Sequence, residues 1–326
     1  MAWNFFVHHY ESNEQRDAEK YVPGKGILYP RAGTLGGCTA HNAMITLVPH
    51  DSDWDDIAMR VNDETWHADS MWRYWQRVER CQYWHRPESG HGTRGWLGTS
   101  KVSPMVALGD WNVAAVITRS LFQAGRQLGG LATLFRRFVH RILIGDDPND
   151  FRNKAATEGV TLTIPLATTN GKRNGTREFI RAVRDRYPDR LVVKTGNLAT
   201  RVIFDADKRA VGVECREGKN LYRADPNAAA PPQYETKEYR CTREVILSGG
   251  TFNTPQLLML SGVGPKGHLR EKGIECVVDL PGVGSNLQDR YEVGVVSEMK
   301  HPFSMMEGAT FQPPDATHPP DEAFKQ

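Results

Sequence analysis

The sequence has 326 residues, with charged residues at 25%, aromatic residues at 9% and a formal net charge of +2. That length buries a sizeable core in one large or two medium domains, its aromatic content excludes a largely disordered chain, and so small a basic excess gives no ground for nucleic-acid binding. Five cysteines (Cys38, Cys81, Cys215, Cys241, Cys276) form an odd set without C-x-x-C spacing, which favours a reducing, cytoplasmic setting over a disulfide framework, and no apolar run is long enough to span a bilayer.

The opening stretch MAWNFFV has neither the charged head nor the apolar core of a signal peptide and reads as the interior of a domain, so that a start further upstream is expected. WNFFV is strand-like, and the rest of residues 1–60 reads as loop with short elements, passing through a Gly- and Pro-rich stretch at 23–33. From 53 to 84 the apolar residues recur at helical spacing, with Trp72, Trp75 and Val78 on one face and Asp69-Ser70 as the N-cap. Residues 85–110, rich in Gly, Pro and His, read as loop. The longest helical pattern covers 111–144, where Gly129-Gly130 is expected to divide it into two helices. Its arginines and apolar face suit either a membrane surface or, more simply, a cap helix packed on its own domain. Further on, 176–183 reads as a helix, and 191–195, 200–205 and 210–216 as strands, with a hairpin turn at 205–209. Residues 243–250 (REVILSGG) read as a buried strand running into glycines. A helix is expected from about 254 to 260 with Pro255 in its first turn, then a strand in 274–284 and a Pro-rich tail from 301. Strand and helix alternate in the manner of an α/β layer.

Two glycine clusters carry the chemistry. Gly36-Gly37 precede Cys38-Thr39-Ala40-His41-Asn42, and Gly249-Gly250 open a segment closed by Gly262-Val263-Gly264. Glycine lets a backbone approach a ligand that a Cβ would block, and a helix starting there turns its free N–H groups toward an anion. Each cluster alone reads equally well as an ordinary turn. In this order, with LPGVGSNLQDR at 280–290 behind them, PRAGTLGGCTAHNAM at 30–44 and GTFNTPQLLMLSGVG at 250–264 resemble the glucose–methanol–choline (GMC) oxidoreductases. The flavin loop is most like that of the choline oxidase and choline dehydrogenase branch, and Arg290 stands where the family has histidine.

The resemblance implies an α/β fold: a Rossmann-like, GMC-type FAD-binding domain interrupted by a substrate-cap segment. Residues 1–60 would form its first part, 61–160 a mainly helical cap, 161–290 its second part and 291–326 the start of a substrate domain. It implies FAD as cofactor, a small-molecule alcohol as substrate and hydride transfer to the flavin. Gly36, Gly37, Cys38, Asn42, Ala43 and Ile45 would touch the flavin and pyrophosphate, Ala199 the adenine edge through its main chain, and Gly250 the second cofactor turn. His41 falls where the choline oxidase branch bonds covalently to the flavin; covalent attachment and simple packing both stay open. The family's first G-x-G-x-x-G turn and its C-terminal histidine base find no counterpart in these residues. The expectation is therefore a chain truncated at both ends that turns over no alcohol alone, or a non-catalytic remnant acting as a binding module. Cys81, His85 and His91 have no fourth ligand at zinc spacing, so no metal is expected and the histidines are expected in surface loops. The alcohol, the electron acceptor and the oligomeric state are open.

Overall fold

The computed structural model describes residues 2–9, 20–83, 85, 87–102, 109–127, 147–153, 163–289, 294–296, 298–300 and 303–304. The chain divides into two compact units, Met1–Cys38 with Val183–Gly294 and Thr39–Ala182 with Val295–Gln326. The first unit begins with β1 (Ala2–Val7), β2 (Tyr21–Val22) and β3 (Gly26–Ala32), an antiparallel sheet in the order β1-β3-β2. The expected strand at WNFFV is β1, while β2 and β3 stand where loop was expected. Pro30 disguises β3 in the sequence, yet its missing N–H does no harm because β2 reaches only Gly26 and Ile27 of that strand. Alternation along β1 puts Trp3 and Phe5 on one face. Trp3 meets Tyr222 edge-on at 4.8 Å, and Phe5 stacks on Phe252 at 4.7 Å. Gly33 makes room for the indole, since a Cβ there would lie 2.6 Å from Trp3 Nε1.

The second unit starts with α1 (Asp51–Val61) and α2 (Ala68–Val78). The single helical stretch expected at 53–84 is thus two helices. Asn62 ends the first in the left-handed region at φ 52°, and a 3-10 turn, Glu64–Trp66, separates them. The N-cap assigned to Asp69-Ser70 lies at His67 instead, and the Ala68 N–H is taken by Asp55 Oδ1 at 3.0 Å, from the preceding helix. Trp72 is buried, edge-on to Phe151 at 5.3 Å. Next come β4 (Glu79–Cys81) and β5 (Leu97–Thr99), a short parallel pair, then α3 (Trp111–Gln127). Buried Asp110 starts α3 by accepting the N–H groups of Asn112 and Val113. Gly129-Gly130 and the remainder of the expected 111–144 helix lie outside the described residues. No described helix is long and apolar enough to cross a membrane.

A two-residue Asn170-Gly171 turn, both residues at positive φ, joins β6 (Thr168–Thr169) to β7 (Lys172–Arg173). The helix expected at 176–183 is α4 (Thr176–Arg186), where Glu178 reaches back to the Gly175 N–H at 3.0 Å.

From Val183 the chain belongs to the first unit again. β8 (Asn197–Phe204), β9 (Ala210–Glu217) and β10 (Glu235–Arg240) form an antiparallel sheet in the order β10-β9-β8. The expected turn at 205–209 is present, and the Asp205 carboxylate accepts from the N–H groups of Asp207 and Arg209. α5 (Gly250–Leu260), β11 (Val263–Gly264), α6 (Lys266–Glu271) and β12 (Val278–Asp279) complete the described elements, with β11 and β12 parallel. α5 begins about one turn earlier than the sequence suggests, so Pro255 falls in its second turn rather than its first.

Two strand expectations fail and a third is met in part. Residues 191–195 and 243–249 join no ladder, Gly249 has helical φ and ψ, Val192 is 71% and Ile246 75% exposed, and of 274–284 only Val278 and Asp279 pair, as β12. An apolar run becomes a parallel strand only when a neighbour takes its backbone bonds. No described strand lies beside either of the first two stretches.

The sheet is tied to α5 at one buried point. Ser261 Oγ accepts the Val202 N–H at 2.8 Å and donates to Leu257 O at 2.5 Å. Ser261→Ala strands a buried N–H and should destabilise the chain by about 1–3 kcal/mol, measured as a lower urea midpoint with an unchanged slope.

Candidate functional site

The glycine loop leaves β3 through Gly36 (φ 90°) and Gly37 (φ 54°), conformations open to glycine at little cost. A 3-10 turn, Gly37–Ala40, follows. A Cβ on Gly37 would meet nothing within 4 Å, so this stretch of backbone is open to a ligand. The division between the units falls inside the loop, leaving Gly36, Gly37 and Cys38 with Ala199 and Gly250, and placing His41, Asn42, Ala43 and Ile45 in the other unit. Cys38, His41, Asn42, Ala43 and Ile45 are exposed.

The exposed limb is held by hydrogen bonds to its main chain and to the Thr39 and Asn42 side chains. Arg173, delivered by the β6–β7 hairpin, donates to Thr39 O (3.0 Å), Asn42 Oδ1 (2.8 Å) and Asn42 O (2.8 Å). Asn42 Oδ1 also accepts the Met44 N–H at 3.1 Å, fixing a turn in which Met44 stands at φ 62°. Thr39 Oγ1 lies 2.9 Å from Thr176 Oγ1 at the start of α4. Gly175 packs beneath Thr39, where a Cβ would come within 3.2 Å of its hydroxyl. Beyond the turn, Ile45 bridges Leu166, Ala167 N–H donates to Met44 O and Thr46 N–H to Pro165 O. The sequence reading missed Arg173; its signal was the Asn-Gly pair that aims the following strand.

In the first unit, Ala199 sits at an irregularity of β8, opposite Cys215, where the register slips before Arg201. Such a bulge re-aims the main chain. Gly250 opens α5 at φ 84°, nothing lies within 4 Å of its Cβ position, and Gly249 gives the helix no side-chain cap. Phe252 in that first turn stacks on Phe5, meets Tyr29 edge-on at 6.1 Å and lies 5.3 Å beneath the Arg31 guanidinium. One aromatic node therefore fixes both β3, which leads into the glycine loop, and the start of α5.

Sequence reasoning also missed a buried clasp in the second unit. His91 was expected in a surface loop, yet its ring is fully buried between two carboxylates, Glu79 Oε2 at 2.9 Å and Asp147 Oδ2 at 2.8 Å. The wholly buried Glu79 also accepts from Gly92 N–H (3.0 Å) and Thr99 Oγ1 (2.8 Å). Asp147 Oδ1 takes Lys101 Nζ (3.3 Å), Tyr83 Oη (3.3 Å) and Asn149 N–H (3.0 Å). Burial opposes a charge on His91, but hydrogen bonds with Asp147, Cys81 and Glu79 outweigh it and push the pKa up to about 12. Burial likewise works against the Asp147 carboxylate, and the His91 bond and the Lys101 charge nevertheless hold it below its ordinary range. Tyr83 is pushed up, first by burial and then by the Asp147 charge. Glu79, Cys81 and His91 each bring one possible metal-ligand atom within 4.8 Å of the others. Both His91 nitrogens already hold a carboxylate and both Glu79 oxygens are engaged, so hydrogen bonds satisfy the group without a metal.

Comparison with known proteins places the chain. The GMC oxidoreductase family profile matches residues 18–292. The chain belongs to the GMC oxidoreductase family. It is 29% identical over 300 residues to oxygen-dependent choline dehydrogenase of Brucella ovis, an alignment covering 91% of this chain and 45% of that protein. Choline oxidase of Arthrobacter globiformis is 29% identical over 286 residues, 85% of this chain and 44% of the relative. The chain thus spans less than half the length of these relatives. Among solved structures, pyridoxine 4-oxidase from Mesorbium loti matches with a TM-score of 0.58 at 21% identity, covering 86% of this chain and 45% of that one. That likeness speaks to the fold alone, the mixed helix-and-sheet architecture of the family's FAD-binding domain.

Two outcomes follow from the anchors. Arg173→Ala removes three hydrogen bonds to the loop and should speed hydrogen exchange of the Met44 amide by about tenfold or more, read by mass spectrometry or NMR. His91 carries a folded pKa above its unfolded value, so its stabilisation is complete below about pH 6.5 and fades as pH rises toward about 12. Between roughly pH 7 and 9 the unfolding free energy should therefore fall as pH rises, and His91→Gln should lack that component in denaturation curves.

Proposed function

We propose that this chain contributes cofactor-binding and cap segments to an FAD-dependent oxidoreductase that oxidises the CH–OH group of a small alcohol, choline-like alcohols being one class. The observation that carries the reading is the pair of left-handed glycine turns at Gly36-Gly37 and Gly250, open at the Cβ positions of Gly37 and Gly250, in a member of the GMC family. These residues fit a dinucleotide: side-chain-free backbone at both turns, and a helix start without a side-chain cap, where N–H groups and the helix dipole favour an anionic pyrophosphate. When bound, FAD supplies the hydride acceptor for the alcohol carbon.

In this reading Gly36, Gly37, Cys38, Asn42, Ala43 and Ile45 meet the flavin and pyrophosphate largely by backbone. Ala199 meets the adenine edge through its main chain, and Gly250 closes the second turn on the same cofactor. Residues 61–160 form the cap, flanked by the two parts of the FAD-binding domain. The covalent role falls to His41, whose exposed ring makes no hydrogen bond to a described residue. The similarity to choline dehydrogenase and choline oxidase supports an alcohol donor.

The test is to purify the chain, add FAD, remove unbound flavin and measure what is retained. Retained flavin absorbance is expected, and Gly37→Val, which forces a β-branched residue to φ 54°, should weaken retention about tenfold or more. Flavin fluorescence that survives acid denaturation and disappears in His41→Ala marks covalent attachment. A chain that retains no FAD under any condition would sink the reading. Retention without turnover on an alcohol panel with an artificial electron acceptor would leave a binding module.

A further inference from the structure

The buried clasp and residues 44–48, which follow the glycine loop, are parts of one hydrogen-bonded structure, and an asparagine side chain is one of two routes that join them. Asn149 is completely buried. Its Nδ2 donates to Thr46 O at 2.8 Å and its Oδ1 accepts the Val48 N–H at 2.9 Å, so its amide does for residues 46–48 what a neighbouring strand would do. Its own N–H donates to Asp147 Oδ1 at 3.0 Å, and Asp147 in turn is held by His91 and Lys101. A second route runs through main chain. Thr99 donates to Glu79, and the next residue, Ser100, exchanges both backbone bonds with Leu166 at 2.9 and 2.8 Å. Leu166 then bridges Ile45.

Both routes start on the Glu79–His91–Asp147 clasp and end on residues 44–48, the limb that follows His41, Asn42 and Ala43. The clasp itself is built from residues 79–101 and 147, outside the loop. Its chemistry is that of a fixed bracket, since every side-chain polar atom of His91 and Glu79 is engaged.

We infer that Asn149 is a positioning residue for the cofactor loop, clamping residues 46–48 and transmitting to them the rigidity of the buried Glu79–His91–Asp147 clasp. The cofactor half of this inference rests on the FAD reading above; the clamping half stands on the geometry alone. The orientation of the amide matters as much as its presence. In Asn149→Asp the volume is kept, but the donor to Thr46 O becomes a carboxylate oxygen facing a carbonyl, which must turn away or repel it.

The experiment measures amide exchange at Thr46 and Val48 together with the FAD dissociation constant, using the full chain and FAD as the probe. Asn149→Asp and Asn149→Ala are compared with Ser261→Ala, which is destabilised in the other unit and controls for lost global stability. Exchange at Val48 is expected to rise about tenfold or more in both Asn149 variants, and FAD affinity to fall by about the same factor, while Ser261→Ala leaves Val48 exchange within about twofold. His91→Gln should loosen Val48 in the same direction, and its effect should shrink in the Asn149→Ala background because the relay is already cut. Unchanged Val48 exchange in both Asn149 variants would overturn the clamp. A loosened Val48 with FAD affinity unchanged would overturn the positioning role. If the wild-type chain binds no FAD, the functional reading fails by itself, and the exchange arm still decides the clamp.

Discussion

The second unit depends on a histidine held out of water between two carboxylates. Burying an imidazolium is costly, and so is burying either carboxylate; together they are tolerable only because each answers the others and the remaining lone pairs of Glu79 are filled by Gly92 N–H and the Thr99 hydroxyl. Removing one member would leave an uncompensated buried charge, so the three hold as a unit. Their sequence positions make this consequential. Residues 79, 91 and 147 come from the end of a helix, a loop and a turn, and satisfying one buried charge brings all three segments together. The Glu79–Thr99 bond runs diagonally across the parallel β4–β5 pair, in which Glu79 stands opposite Leu97 and Thr99 opposite Cys81.

The first unit solves a similar problem with aromatic surface instead of charge. Phe252 sits under Phe5, Tyr29 and Arg31, while Tyr222 takes the edge of Trp3 and places its hydroxyl 2.6 Å from Asn253 Oδ1. Stacked and edge-on rings tolerate little sliding. The start of α5 is thereby fixed against the β1–β3 sheet without a side-chain cap, and its opening N–H groups are left without one. Packing does here what an Asp or Ser N-cap would otherwise do, and it leaves the helix end available to an anion.

How much of this was legible in the sequence follows from what each feature needs. The hairpin of β8 and β9, the helix α4 and the strand β1 announce themselves locally, through alternation, turn residues and helical spacing. The glycine turns were equally readable, because a left-handed backbone leaves glycine as its trace. Residues 191–195 and 243–249 misled for the opposite reason: VVK and VIL have strand composition, but a strand is made by its neighbours, and Ile246 and Val192 lie exposed without one. The clasp was invisible. A histidine in a Gly- and Pro-rich stretch has no periodicity to betray its burial, and nothing local links it to an aspartate 56 residues onward. Arg173 and Asn149 were missed likewise, since what they hold is mostly main chain, which leaves no complementary residue type to read.

That last point bears on how the loop works. His41, Asn42 and Ala43 face solvent, while Arg173, Asn149 and Leu166 grip the carbonyls and N–H groups behind them. A site held largely through its backbone keeps its shape when side chains such as His41 and Ala43 change, so those positions are free to be chosen for chemistry rather than for stability. Asn42 is an exception, because its Oδ1 takes Arg173 and the Met44 N–H, and so are glycines 36 and 37, where the displayed feature is the backbone itself. The entropic cost of ordering an exposed turn is met in advance by buried hydrogen bonds and charge, and a ligand arriving at it need not bear that cost again.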